Sequence, residues 1–144
     1  MMKTKITELF SIRYPILQGG MAWIADGTLA AAVSEGGGLG IISAMNADGD
    51  YLRAQIASAR AQTDKPFGVN IMLMSPHADE VASIVAQERI PVVTTGAGMP
   101  LKYMQMWQEA GICVVPVIAS VSMARRDDRS TAQGSHCAPC KYTV

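Results

Sequence analysis

Tyr14-Pro15-Ile16-Leu17-Gln18-Gly19-Gly20-Met21-Ala22-Trp23 carries a short apolar run into a glycine pair, and Asp26-Gly27-Thr28 follows as a polar helix start. A strand here delivers backbone to a place where a flat or charged group can come close, because glycine has no Cβ to hold it off. Further on, Lys65-Pro66-Phe67-Gly68-Val69-Asn70-Ile71-Met72-Leu73 reads as a buried strand with one amide side chain, Asn70, among apolar neighbours. Together the two segments point to a cofactor held at the ends of strands.

Working outward, the pattern alternates. Ile16–Gly19, Gly38–Ser43, Phe67–Met72, Pro91–Thr95 and Cys113–Ala119 read as strands. They are short, continuous apolar runs rich in Val and Ile, as strands covered on both faces must be. Between them, Thr28–Glu35, Tyr51–Ala61, Ala78–Glu88 and Leu101–Ala110 read as helices, and Ser122 begins another. Apolar residues recur at helical spacing: Tyr51, Ile56 and Ala59 in one, Val81, Ile84 and Val85 in the next. Gly36 and Gly111 mark helix stops, and Asp79 and Pro100 suit helix starts.

Strand and helix repeating at roughly 25 residues is the pattern of parallel βα units. An open doubly wound sheet and a closed (β/α)8 barrel both use it, and a full barrel takes about 250 residues. With 144 residues, the chain supplies between four and five units; if the fold is a barrel, it is an incomplete TIM barrel of about the first five βα units. In either architecture ligands sit at the C-terminal ends of the strands. The polar and glycine residues gather there: Gln18–Met21, Ser43–Asn46, Asn70 with Ser75-Pro76-His77, Thr94–Gly98, and Ala119-Ser120.

Composition narrows the function. Twelve basic residues balance twelve acidic ones, which leaves no electrostatic reason to bind nucleic acid or an acidic membrane. No secretory leader opens the chain and no apolar run reaches the roughly 18 residues of a spanning helix, so the expected compartment is the cytoplasm. Three cysteines, two of them in the last ten residues, do not form a disulfide framework. Ten methionines are expected to fill core gaps, with Met21 excepted for its place after the glycine pair.

Other motifs read as structure. Gly36-Gly37-Gly38-Leu39-Gly40 precedes a strand, whereas a dinucleotide fingerprint follows one, so it reads as a helix end and a tight turn. Gly96-Ala97-Gly98 follows a strand but lacks the third glycine and the acidic partner. His77 reads as a loop residue with no catalytic partner nearby in sequence. His136-Cys137-Ala138-Pro139-Cys140 has one cysteine pair with no second pair facing it, short of a zinc site, so no metal is expected.

The wordings YPILQGGMAW (Tyr14–Trp23), GGGLGIIS (Gly36–Ser43), DKPFGVNIMLMSP (Asp64–Pro76) and VVTTGAG (Val92–Gly98) closely resemble the flavin-dependent enoyl-acyl carrier protein reductases of bacterial fatty acid synthesis. These belong with the nitronate monooxygenases among FMN-bound TIM barrels. The resemblance covers Met1 to about Arg126. It implies FMN as cofactor, NADH as co-substrate, an enoyl-acyl carrier protein or enoyl thioester as substrate, and hydride transfer through the flavin. Gly20, Met21 and Ala22 match the family's flavin-holding loop, Asn70 matches an amide that contacts the flavin ring, and Asn46 matches the second strand end. A nitronate monooxygenase, oxidising alkyl nitronates with FMN and oxygen, is the rival enzyme.

The departure begins after Arg126. The family continues with a further strand, a Gly-Gly-His segment taken to be catalytic, and loops that bind the FMN phosphate. Residues 127–144 are polar, with no apolar period. They read as a non-family tail, expected to be disordered and to derive from a shifted reading frame, and no catalytic residue is assigned. On this reading the chain is a non-catalytic half-barrel with weak or absent FMN binding and a tendency to self-associate.

Overall fold

The structure, a computed structural model, describes residues 3–123 and 125. The 127–144 tail and its His136–Cys140 motif lie outside the described residues. In chain order the elements are α1 (Lys5–Phe10), α2 (Gly27–Glu35), β1 (Gly40–Ser43), α3 (Gly49–Gln62), β2 (Phe67–Met72), α4 (Ala78–Gln87), β3 (Val92–Gly96), α5 (Met104–Glu109) and β4 (Cys113–Pro116). The four strands form one parallel sheet in the order β1-β2-β3-β4. Strand order therefore follows chain order with no reversal, whereas a doubly wound sheet reverses at a switch point. Right-handed crossovers then place successive helices on the same face, giving the arc of a (β/α)8 barrel.

The first expected strand is not one. Residues 16–19 contribute a single parallel bridge, Leu17 to Leu39. Leu39 N donates to Ile16 O and Gln18 N donates to Leu39 O, both at 2.9 Å. The next rung falls to a side chain instead. Ile41 N donates to Gln18 Oε1 and Gln18 Nε2 donates to Ile41 O, both at 3.2 Å. The glutamine amide thus replaces the backbone partner that β1 needs, and the main chain is released toward Gly19 and Gly20. Ser43 N then donates to Ala25 O at 2.8 Å, so the edge of β1 is covered by residues 16–25 without a continuous strand.

On the helix-facing side, Ile42, Val69, Ile71, Val93 and Val114 pack with Leu52, Ile56, Val81, Val85 and Trp107. Trp107 is fully buried, and its Nε1 donates to Ala82 O at 3.0 Å. Helix α2 lies so close to the sheet that a Cβ at Gly40 would run into the Ala30 carbonyl, so glycine is required there. On α3 the core position belongs to Leu52; Tyr51, expected in the core, is 40% exposed. The expectation for methionine fails as well. Met104 and Met106 pack only at the margin of the core, and Met74 is 75% exposed.

Caps set the helix boundaries. Asp26 accepts from Leu29 N at 2.8 Å and Asp48 from Tyr51 N at 2.9 Å, starting α2 and α3 one and two residues before the expected points. Asp79 falls inside the first turn of α4, and His77 is the N-cap without a side-chain bond. Pro100 heads a turn, with Tyr103 N donating to Pro100 O, so α5 begins only at Met104. Helix α1 gives no sequence signal because six residues are too few for a period. A reciprocal cap fixes it: Thr7 N donates to Thr4 Oγ1 at 3.1 Å and Thr4 N to Thr7 Oγ1 at 2.9 Å. Phe10 and Ile12 after it bury against Leu39, Ile41 and Val92, closing the N-terminal end of the sheet's inner face.

Candidate functional site at the strand ends

Strand register decides which side chains share the inner face. Ile41, Gly68, Val92 and Cys113 form one row, and Ser43, Asn70, Thr94 and Val115 form the row two residues further along. The first row meets Phe10 and Ile12 and is apolar. In the second, three adjacent strands contribute polar side chains at the C-terminal mouth. Thr94 Oγ1 donates to Asn70 Oδ1 at 2.8 Å. Ser43 is buried, and its hydroxyl has no hydrogen-bond partner among the described residues.

Gly20 reaches this row from the segment that Gln18 releases. A Cβ built on Gly20 would lie 2.6 Å from Asn70 Cβ, 2.9 Å from its Cγ and 3.0 Å from its Nδ2. The absent side chain therefore makes room for Asn70, and not directly for a ligand, which revises the sequence-based reason for glycine here. The open approaches are at Gly19 and Gly96, where a Cβ would meet no atom within 4 Å. A flat ring can lie against main chain at those two points.

Met21 begins a turn in which Ile24 N and Ala25 N both donate to Met21 O. The turn puts Trp23 at φ 64° and leaves it 86% exposed. Ala22, Trp23, Ser43, Met45, Asn46, Ala47 and Tyr51 line a small, shallow pocket beside the mouth. Asn46 is exposed in that pocket, apart from the Asn70 row. The structure thus joins Gly20 with Asn70 and places Met21, Ala22 and Asn46 on the neighbouring rim. His77 faces Glu80, with Nδ1 3.6 Å from Oε2, away from the row.

The sequence shows Ser43 and Thr94 among the polar strand ends but does not single either out as a site residue. Each ends an apolar run and stands in register with Asn70, so pairing the strands at their polar ends could have found them. Gly36-Gly37-Gly38 ends α2 as expected, with Gly37 at φ 96° accepting from Arg13 N and Tyr14 N. Gly96-Ala97-Gly98 opens no helix directly, since α5 starts at Met104.

The row of Ser43, Asn70 and Thr94 contains no acid or base. It can orient and hydrogen-bond a planar group, and it cannot itself move a proton through a carboxylate or imidazole. Such a site suits a cofactor that brings its own chemistry. FMN fits the residues present on these grounds: open backbone at Gly19 and Gly96, an amide nitrogen at Asn70 that bonds no described residue, and a buried hydroxyl at Ser43 without a partner.

Comparison with known proteins agrees with the barrel arc. The chain superposes on FabK from Thermotoga maritima with a TM-score of 0.88 and 52% sequence identity, over 90% of this chain and 42% of that one. It is 34% identical over 125 residues to (3aS,4S,5R,7aS)-5-hydroxy-7a-methyl-1-oxo-octahydro-1H-indene-4-carboxyl-CoA dehydrogenase of Mycobacterium tuberculosis, covering 87% of this chain and 35% of that enzyme. It is 41% identical over 75 residues to nitronate monooxygenase of Pseudomonas aeruginosa, covering 52% of this chain and 21% of the relative. The chain thus spans well under half the length of these relatives. Residues 3–88 match the nitronate monooxygenase family, and the chain belongs to that family of α/β-barrel oxidoreductases.

Proposed function

We propose that this chain builds the N-terminal part of an FMN-dependent enoyl-acyl carrier protein reductase, acting in the cytoplasm with NADH as co-substrate. The observation that carries the reading is the 52% identity to FabK over 90% of the chain, against 41% over about half of it for a nitronate monooxygenase. The name of the Mycobacterium tuberculosis relative adds support, since its substrate is a carboxyl-CoA, a thioester as an enoyl-acyl carrier protein is.

When bound, FMN supplies the redox chemistry. The chain's own residues would hold the ring: Gly19 and Gly96 by close backbone approach, Asn70 by its amide, and Gly20, Met21 and Ala22 by forming the loop that frames it. Four strands supply one arc of the mouth, so the ring is gripped from one side. Binding by this chain alone is therefore expected to be weak and turnover absent. The sheet margins carry exposed apolar residues, Ile16 at 61% and Val117 at 64%, which favours self-association. Sedimentation velocity reads this directly: a strictly monomeric chain at high concentration would remove it.

The family name itself favours a second reading, oxidation of an alkyl nitronate with oxygen. The two separate in a full-length relative carrying this sequence. NADH oxidation with a crotonyl thioester, and none with propionate 3-nitronate, is the expected result. Preference for the nitronate would overturn the reductase assignment.

A further inference from the structure

We propose that Thr94 is a positioning residue that locks the Asn70 amide, so that the site offers its ligand a hydrogen-bond donor and not an acceptor. Only the naming of FMN as that ligand rests on the reading above. The lock follows from neighbours on two sides. Toward β3, the Thr94 hydroxyl donates to Asn70 Oδ1 at 2.8 Å, from the residue in register with it. Toward the glycine loop, Nδ2 is the nearer of the two amide ends, 3.0 Å from where a Gly20 Cβ would stand, behind Cβ at 2.6 Å and Cγ at 2.9 Å. Asn70 is only partly buried, and its Nδ2 makes no hydrogen bond to a described residue. Ser43, in register on the far side, does not take that hydrogen either, because its own hydroxyl is without a partner.

An asparagine amide is nearly symmetric in shape, and its two ends differ in polarity alone. Something must choose which end faces the ligand. With the oxygen occupied by Thr94, the nitrogen is left to donate toward the mouth. The matching ligand atom is an acceptor: a ring nitrogen or carbonyl oxygen at the edge of a conjugated heterocycle. Leu73 N donates to Gly96 O and Ala44 N to Asn70 O, both at 2.9 Å, so the backbone around the pair is pinned and the choice falls to the hydroxyl.

Two measurements on the full chain test this. The first is a nuclear Overhauser experiment without ligand. Cross-peaks from the Asn70 Hδ2 protons to the Gly20 Hα protons, and none to the Thr94 methyl, are expected. In T94V, an isosteric change, the amide should turn over and show both; in T94S the wild-type pattern should persist. The second is an FMN titration followed on backbone amides. T94S should bind like wild type, T94V roughly five- to tenfold more weakly, and N70D about tenfold more weakly or worse, because a second oxygen then faces an acceptor. Hδ2 cross-peaks to Thr94 in the wild type, an unchanged pattern in T94V, or undiminished FMN binding by N70D would each overturn the proposal. The expected pattern without any FMN binding would uphold the lock and reject the flavin.

Discussion

On the helix-facing side of the sheet, Ile42, Val69, Ile71, Val93 and Val114 are at most 5% exposed and pack in one apolar cluster. On the opposite side, at the same strand ends, Ser43, Asn70 and Thr94 stand in one register row. Val69 and Asn70 are adjacent in sequence and part company because side chains alternate along a strand. The contrast separates two jobs within one set of strands. The helix side holds the fold together and is almost wholly apolar, the buried and unpartnered hydroxyl of Thr95 being its exception. The mouth gathers an unpaired hydroxyl and an amide nitrogen in one row, groups that cost stability when buried and that a ligand can partner. Within the inner face the same division recurs along the strand axis, since Ile41 and Val92 are sealed by Phe10 while the next row is left open.

Truncation on the helix side should give the largest effect. Trp107→Ala removes a fully buried ring and the hydrogen bond to Ala82 O. The expected loss is about 3–5 kcal/mol, a large part of a small domain's stability, read by urea unfolding. A loss below about 1 kcal/mol would mean that α5 is not part of the cooperative core.

At the mouth the ranking should reverse, with ligand binding lost and the fold kept. Gly20→Val places a Cβ against Asn70 and should abolish FMN binding while the far-ultraviolet circular dichroism stays unchanged. Normal affinity would show Gly20 to be a turn residue only. Asn70→Leu removes the Thr94 contact, worth about 1 kcal/mol net, and should leave a folded protein with weakened flavin binding. Global unfolding of Asn70→Leu would move Asn70 from the site to the structural side of the comparison.

The sequence disclosed the alternation of strands and helices, the parallel barrel arc and the convergence of polar strand ends. Those features depend on local periodicity and on short apolar runs. What it hid depends on contacts distant in the chain. The first strand looked continuous because Ile16 and Leu17 are apolar, yet Gln18 reaches 23 residues ahead to Ile41 and ends the ladder. Gly20 was legible as a close approach, but which group approaches, Asn70, is a tertiary fact. Ser43 and Thr94 were legible as polar strand ends, but their place beside Asn70 depends on strand register.

The rim between α4 and α5 belongs to neither face, and its effects should be the smallest. Asp79 accepts from Lys102 Nζ at 2.6 Å and from the Tyr103 hydroxyl. These bonds, the Lys102 one foremost, hold the Asp79 carboxyl below its ordinary 3.8. Partial burial, reinforced by the bond to Asp79, pushes the Tyr103 phenol up from 10.0 to about 12. The signs are opposite. The Asp79 contribution is present above its ordinary value and fades as pH falls through the lowered one. The Tyr103 contribution is full below 10.0 and fades as pH rises through about 12. Ultraviolet titration should show the Tyr103 phenol ionising late, and Asp79→Asn should bring it partway back toward the ordinary range, with flavin binding unchanged. Normal titration of every tyrosine would dissolve this cluster.

The central claim, a flavin site at the polar mouth of the barrel arc, is tested most directly by titrating the isotope-labelled chain with FMN and following backbone amides. Shifts confined to Gly19–Ala22, Ser43, Asn70 and Thr94–Gly96, with Val69, Val93 and Trp107 unmoved, are expected. Shifts centred on the opposite end of the strands, at Thr63–Phe67, or no shifts at millimolar FMN, would contradict it.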